Sequence, residues 1–180
     1  VKILIFAGSL RKDSLNKKLC LHVKTCLSKI SGIEAEFLDL APLEIPVYNG
    51  DDEVAKGLPQ GVQTLCDKIS AADALVVSTP EYNGSIPGVL KNAIDWVSRK
   101  KPNPLAKKKL LLLAASPGAL GGVRSLWHTR VPFEALGCYV SPDMLGLSKA
   151  HEAFSESGTL RDEKISQQLD LILKTFTEKT

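Results

Sequence analysis

The chain lacks a long hydrophobic run. Its longest apolar stretch, Leu110 to Ala115, is far too short to cross a bilayer, so no membrane partner is expected. It also lacks charge of one sign: 23 Lys and Arg against 20 Asp and Glu leave a formal +3, dispersed along the chain, and no nucleic-acid partner is expected. The densest basic stretch, Arg99-Lys100-Lys101 followed by Lys107-Lys108-Lys109, reads as a solvated helix end and the entry to a strand. No CxxC pair is present. Cys20, Cys26, Cys66 and Cys138 sit in apolar segments, which predicts buried free thiols in a reducing compartment. With no signal peptide ahead of the opening strand, a cytoplasmic location is expected. The histidines, His22, His128 and His151, lack metal-ligand spacing, so no metal is expected. GxxxxGK[ST] and GxGxxG are both absent, as are internal repeats and linkers. Asp13 and Asp39 alone do not make the acidic cluster of a receiver-like signalling domain.

What is present is a chain of 180 residues, 44% of them hydrophobic, enough to fill the core of one domain spanning 1–180. Lys2 to Phe6 is a nearly continuous apolar run, as in a strand covered on both faces. A helix follows with Leu15, Leu19, Val23, Leu27 and Ile30 on its inner side. Ile33 to Leu40 alternates apolar and acidic residues, which predicts an edge strand. Residues 41–58, with Pro42, Pro46 and Asn49-Gly50, read as a long connector. Val62 to Ile69 predicts a short helix, Ala74 to Ser78 a third strand, Leu110 to Ala115 a fourth. A helix over Val123 to Leu136, a Pro-interrupted strand over Cys138 to Leu147 and a helix carrying Ile165 to Phe176 complete the order. This alternation predicts an α/β three-layer sandwich with a five-stranded parallel sheet in flavodoxin-like order 2-1-3-4-5.

The loops at the carboxyl edge of that sheet carry the chemistry. Gly8 to Ser14 leads into the first helix, with Ser14 as a good N-cap and Ser9 as a second hydroxyl. Arg11 and Lys12 precede that helix, and Lys17 and Lys18 occupy its first turn, where the helix dipole disfavours cations. A phosphate at the helix N-terminus would make the arrangement favourable. The loop after the third strand, Pro80-Glu81-Tyr82-Asn83-Gly84, offers an aromatic face and turn-forming backbone, and a helix starts near Pro87. Ser116 to Gly122 is a third loop at the same edge. A phosphate site after strand one and a flat, polar-edged site after strand three suit a flavin mononucleotide. The helices after strands three and four carry apolar residues on more than one side, among them Val89, Leu90, Ala93, Ile94, Trp96, Trp127 and Val131, so a homodimer or homotetramer packed through them is expected.

Gly-Ser-Leu-Arg-Lys-Asp-Ser-Leu-Asn at 8–16 resembles the GSxRxxSxN phosphate motif of the NADPH-dependent FMN reductase family. Residues 80–96, PEYNGSIPGVLKNAIDW, resemble that family's flavin-ring motif nearly letter for letter. The third loop with GGVR, and Phe154 to Glu163, agree as well, so the resemblance spans almost the whole chain.

That resemblance implies that Ser9, Arg11, Ser14 and Asn16 hold the FMN phosphate, with Leu15 adding its backbone. It implies that Pro80, Glu81, Tyr82, Asn83 and Gly84 line the isoalloxazine, and that Ser116 and Gly118 approach from the third loop. The chemistry then belongs to the flavin, with NADPH or NADH as donor and no catalytic protein nucleophile; the acceptor is a small molecule such as a quinone, azo compound, chromate or free flavin. The competing reading is a flavodoxin-type electron carrier, a class that is typically acidic, whereas this chain has a pI of about 8.6. The connector, through Tyr48, is expected to reach the site's opening and set acceptor choice.

Overall fold

The computed structural model describes residues 1–178 and 180. Five parallel strands, β1 (Lys2–Ala7), β2 (Glu34–Leu38), β3 (Ala74–Ser78), β4 (Lys109–Ala115) and β5 (Tyr139–Leu147), form a sheet of order β2-β1-β3-β4-β5. The expected topology is therefore the observed one. Right-handed connections place α1 (Leu15–Leu27) and α6 (Glu163–Glu178) on one face, and α3 (Gln60–Ala71), α4 (Gly88–Val97) and α5 (Val123–Ala135) on the other.

Strand alternation divides the core in two. Ile3, Ile5, Val76, Leu111 and Leu113 meet Leu19, Val23 and Leu173 on one face. On the other, Leu4, Phe6, Leu75, Val77 and Leu112 meet Leu65, Leu90, Trp96 and Phe133. Period-two burial on both sides is why the strands read as unbroken apolar runs. Pro142 falls in a register shift of β5 opposite Leu110–Leu112, where an edge strand tolerates the missing N–H. Asp162, in the segment that shares the family pattern after Phe154, caps α6 by accepting from the backbone N–H groups of Lys164 and Ile165.

Residues 41–58 differ from the plain connector expected. A 3-10 turn spans Ala41–Leu43, and α2 runs from Gly50 to Lys56 behind an Asn49 cap, with Asp51, Asp52 and Glu53 in its first turn. The segment is clamped to α4. Trp96 Nε1 and Asn92 Nδ2 each donate to the Pro46 carbonyl at 2.8 Å, and Asn92 Oδ1 accepts from the Tyr48 N–H at 2.8 Å. Tyr48 packs edge-on against Trp96, with centroids 4.9 Å apart, and its hydroxyl donates to Glu53 at 2.8 Å. Arg99, rather than being simply solvated, pairs with the same Glu53 at 2.8 Å.

Two expectations change as a result. Tyr48 is spent on holding the connector and is not at the mouth of the carboxyl-edge loops. The apolar excess of α4 is absorbed within the chain, since Leu90, Ala93, Ile94, Trp96 and Val97 are all buried under this segment and α3. The exposed apolar residues of the pair of helices are on α5 instead, at Trp127 and Val131.

One glycine makes this docking possible. A Cβ on Gly61 would stand 1.8 Å from the carbonyl oxygen of Leu43, so only glycine lets α3 meet the 3-10 turn backbone to backbone. Gly61→Ala is expected to destabilise the fold by roughly 1–3 kcal/mol, the usual cost of overpacking. Chemical denaturation of the two proteins measures this directly; unchanged stability would mean that the connector shifts freely.

Candidate functional site

The three carboxyl-edge loops converge because one buried side chain ties them. Asn16, 2% exposed, accepts through Oδ1 from the Ser78 hydroxyl at 2.8 Å and from the Ala115 N–H at 2.9 Å. Its Nδ2 donates to the Ala115 carbonyl at 2.9 Å. The start of α1 is thus fixed to the ends of β3 and β4. This corrects the expected role of Asn16. Its side chain is committed inside the protein, and what it can offer a ligand is its backbone N–H.

Leu15 and Asn16 occupy the first two positions of α1, ahead of the Lys18 N–H that makes the first backbone bond back to Ser14. N–H groups at such positions have no intrahelical partner and suit an anion. Three hydroxyls surround them. Ser14 Oγ accepts from the Lys17 N–H at 3.3 Å, Ser9 Oγ from the Arg11 N–H at 3.4 Å, and Ser116 Oγ from the Gly118 N–H at 3.1 Å. Each oxygen is oriented by the backbone, which leaves its hydroxyl hydrogen to donate outward. Ser9 and Ser14 are buried, Arg11 is exposed, and all of them line one shallow depression with Pro80, Glu81 and Tyr82.

Lys17 does not stand as an unbalanced cation in this turn. It is buried, and its ammonium lies 2.8 Å from the carboxylate of Asp39, at the end of β2. The charge of Lys17 is already neutralised, so the exposed positive charge around this turn is that of Arg11, Lys12 and Lys18.

The loop after β3 is a tight hairpin. Tyr82 and Ser85 exchange backbone hydrogen bonds at 3.2 and 3.1 Å across Asn83 and Gly84, whose φ angles are 52° and 74°. Two successive positive φ values make the turn type that Asn-Gly favours. Asn83 and Gly84 are therefore its tip, and they do not line the depression as Pro80, Glu81 and Tyr82 do. The Glu81 side chain is taken up by α5. It accepts from the Arg124 guanidinium and, at 3.1 Å, from the Arg124 N–H, so it holds the start of α5. Hydrogen bonds from Arg124 keep the Glu81 carboxyl below its ordinary pKa, more than burial raises it. The clasp is thus present above the ordinary glutamate range and lost only as pH falls through the lowered value. The Arg124 role was legible in the sequence only as the last letter of GGVR.

The third loop brings Ser116 and Pro117 to the depression. Gly118 stands beside it, its carbonyl accepting from Lys149 at 3.2 Å, and Ser116 O accepts from Ala150 at 2.9 Å. Anchoring from the segment after β5 was not foreseen. The depression is about 80 Å³, too small to enclose a three-ring system, so a flavin ring would lie at the surface against Tyr82, which is largely exposed. The donor set fits a phosphate: two helix N–H groups, three hydroxyls and one guanidinium, while the lining carboxylate Glu81 is held by Arg124.

Two substitutions separate holding from binding. Asn16→Ala strands the Ser78 hydroxyl and both Ala115 backbone groups, so unfolding free energy is expected to fall by about 2–4 kcal/mol. Arg11→Ala is expected to leave apo stability unchanged and to weaken FMN about ten- to a hundred-fold, as for one charge-assisted hydrogen bond. Denaturation and FMN titration of both variants, with riboflavin as the phosphate-free control, check the division.

Comparison with known proteins agrees with this geometry. The chain is 35% identical over 181 residues to a quinone reductase of Escherichia coli strain K12, covering 99% of this chain and 94% of that protein. It is 38% identical over 178 residues to an NAD(P)H-dependent FMN reductase of Pseudomonas aeruginosa, covering 96% and 93% of the two. Its fold matches FerB, a flavoenzyme NAD(P)H:(acceptor) oxidoreductase of Paracoccus denitrificans, with a TM-score of 0.82, 31% identity, and coverage of 98% and 95%. The sequence model of one family matches residues 1–152, across all three loops. The chain belongs to the NADPH-dependent FMN reductase family, and it is an NAD(P)H-dependent flavin oxidoreductase.

Proposed function

We propose that residues 1–180 act as one FMN-binding domain that reduces a quinone at the expense of NAD(P)H. When bound, FMN supplies the two-electron chemistry, relaying reducing equivalents from the nicotinamide to the acceptor. The observation that carries the reading is the convergence of the Ser9, Ser14 and Ser116 hydroxyls with the first N–H groups of α1. Arg11 supplies the charge, and Leu15 and Asn16 the amides. Pro80, Glu81 and Tyr82 bear on the ring through backbone and the tyrosine face, the Asn83-Gly84 tip holds that strand of backbone in place, and Ser116 and Gly118 flank it. The quinone assignment is supported by the relatives, which are named as reductases of quinones or flavins and not as carriers.

With protein backbone against one side of the ring, nicotinamide and acceptor share the other. The oxidised nicotinamide must then leave before the acceptor docks, which requires ping-pong kinetics. Initial rates with NADPH and a benzoquinone varied together are expected to give parallel double-reciprocal lines; intersecting lines would overturn the shared face. The same assays with NADH settle which nicotinamide is preferred.

The reaction belongs in a reducing, cytoplasmic setting. The cysteines are free and buried, and burial pushes the Cys20 and Cys138 thiols up to about 12 and those of Cys26 and Cys66 to about 11. No described helix is long and apolar enough to cross a membrane.

Assembly as a homodimer or larger is supported by α5. Trp127 is 55% and Val131 66% exposed on that helix, close in sequence to the loop that carries Ser116 and Gly118. A second copy seated there would cover apolar surface beside a flavin that this chain leaves open. Trp127→Glu is expected to lower the mass seen by sedimentation at micromolar concentration to that of one chain. A monomeric wild type would exclude the assembly.

A further inference from the structure

A cavity larger than the flavin depression lies among the described residues. It lies on the other side of the β1–α1 loop, measures about 430 Å³, and is lined by Leu10, Ile45, Val47, Val89 and Ala93, with Glu44 as its charged residue. That volume is within the range of small-molecule sites. Along one stretch of chain, Ser9 and Arg11 face the flavin depression while Leu10 between them faces the cavity. A ridge one residue wide separates the two. Leu10 is 50% exposed and Val47 85%, so apolar wall is left open to solvent in this chain.

Apart from Glu44, the lining offers a polar ligand little. Asn92 borders the cavity, but its amide is spent on Pro46 and Tyr48. The walls are rigid, because Pro46 is clamped by Trp96 as well and the connector is docked on α3 through Gly61. A pre-formed apolar cleft beside a redox cofactor site suits hydrocarbon.

We propose that this cavity seats the hydrocarbon substituent of the acceptor, so that the preferred substrates are quinones carrying an aliphatic chain. The substituent lies over Leu10 in the cavity, and the reducible ring reaches across the ridge to the flavin. The inference rests on the quinone-reductase reading above, and it adds a substrate class and the residues that select it. It also returns acceptor choice to the connector, through Ile45 and Val47 in place of Tyr48.

The test compares a dimethoxy-methyl-benzoquinone with its decyl-substituted counterpart, using FMN-loaded protein. The wild type is expected to favour the decyl compound in kcat/KM by at least ten-fold. Val89→Asp places a charge in the cavity at the second position of α4, where an acid suits the helix dipole and folding is retained. It is expected to remove that preference while leaving the short quinone within two-fold. Val47→Asp, at an open surface position, provides a second variant with the same expected result. Equal rates for the two quinones in the wild type, or equal loss for both in the variants, would overturn the proposal. Calorimetric titration with the redox-inert decyl-substituted dimethoxytoluene gives a readout apart from turnover. Saturable binding that Val89→Asp abolishes supports the cavity, and absence of binding by the wild type refutes it. A protein that binds this probe but reduces neither quinone would sink the quinone-reductase reading and leave the cavity's ligand class standing.

Discussion

The site depends on one buried amide. Asn16 spends both ends of its side chain on the termini of β3 and β4, and in doing so sets where the first turn of α1 stands. Three loops that are distant in sequence become one surface. A parallel sheet ends in loops that would otherwise be held only by their own turns. A hydrogen-bonded polar residue in a dry environment fixes them in one arrangement, since every alternative leaves groups unpaired. The serines that point outward from those loops can therefore be short and still be pre-placed.

Charge at the site is arranged in two layers. The inner layer is neutralised by the protein itself: Lys17 with Asp39 beneath the helix start, and Glu81 with Arg124 behind the hairpin. These pairs are partly or largely withdrawn from water, so they position backbone instead of meeting ligand. The outer layer is Arg11 with the hydroxyls and amides, which face the depression. Separating the two layers lets the chain hold an anion while remaining nearly neutral overall.

The segment between β2 and α3 has a comparable division. Tyr48 and the Pro46 carbonyl are consumed by Trp96, Asn92 and Glu53. Ile45 and Val47 line the apolar cavity. A connector that is anchored at its middle can present side chains rigidly without belonging to the sheet, and in the proposed reading this separates acceptor preference from cofactor binding.

The sheet order, the placement of α1, α3, α4, α5 and α6, and the three loops that converge were all legible from residue patterns. Unbroken apolar runs and helical spacing follow from burial, which acts residue by residue and leaves its mark locally. The hairpin at Asn83-Gly84 was legible for the same reason, because positive φ is a property of one or two residues. Tertiary structure decided what depends on partners far away in the chain. Asn16 reads as a phosphate ligand until Ser78 and Ala115 are seen to claim it. Lys17 reads as a free cation until Asp39 is found beside it. The apolar surplus of α4 suggests a second subunit until Trp96 is found under Pro46, and α2 forms in a stretch whose short acidic pattern was too weak to mark a helix. Side-chain identity determined what each of these residues could bond with; only the fold determined which partner arrived first.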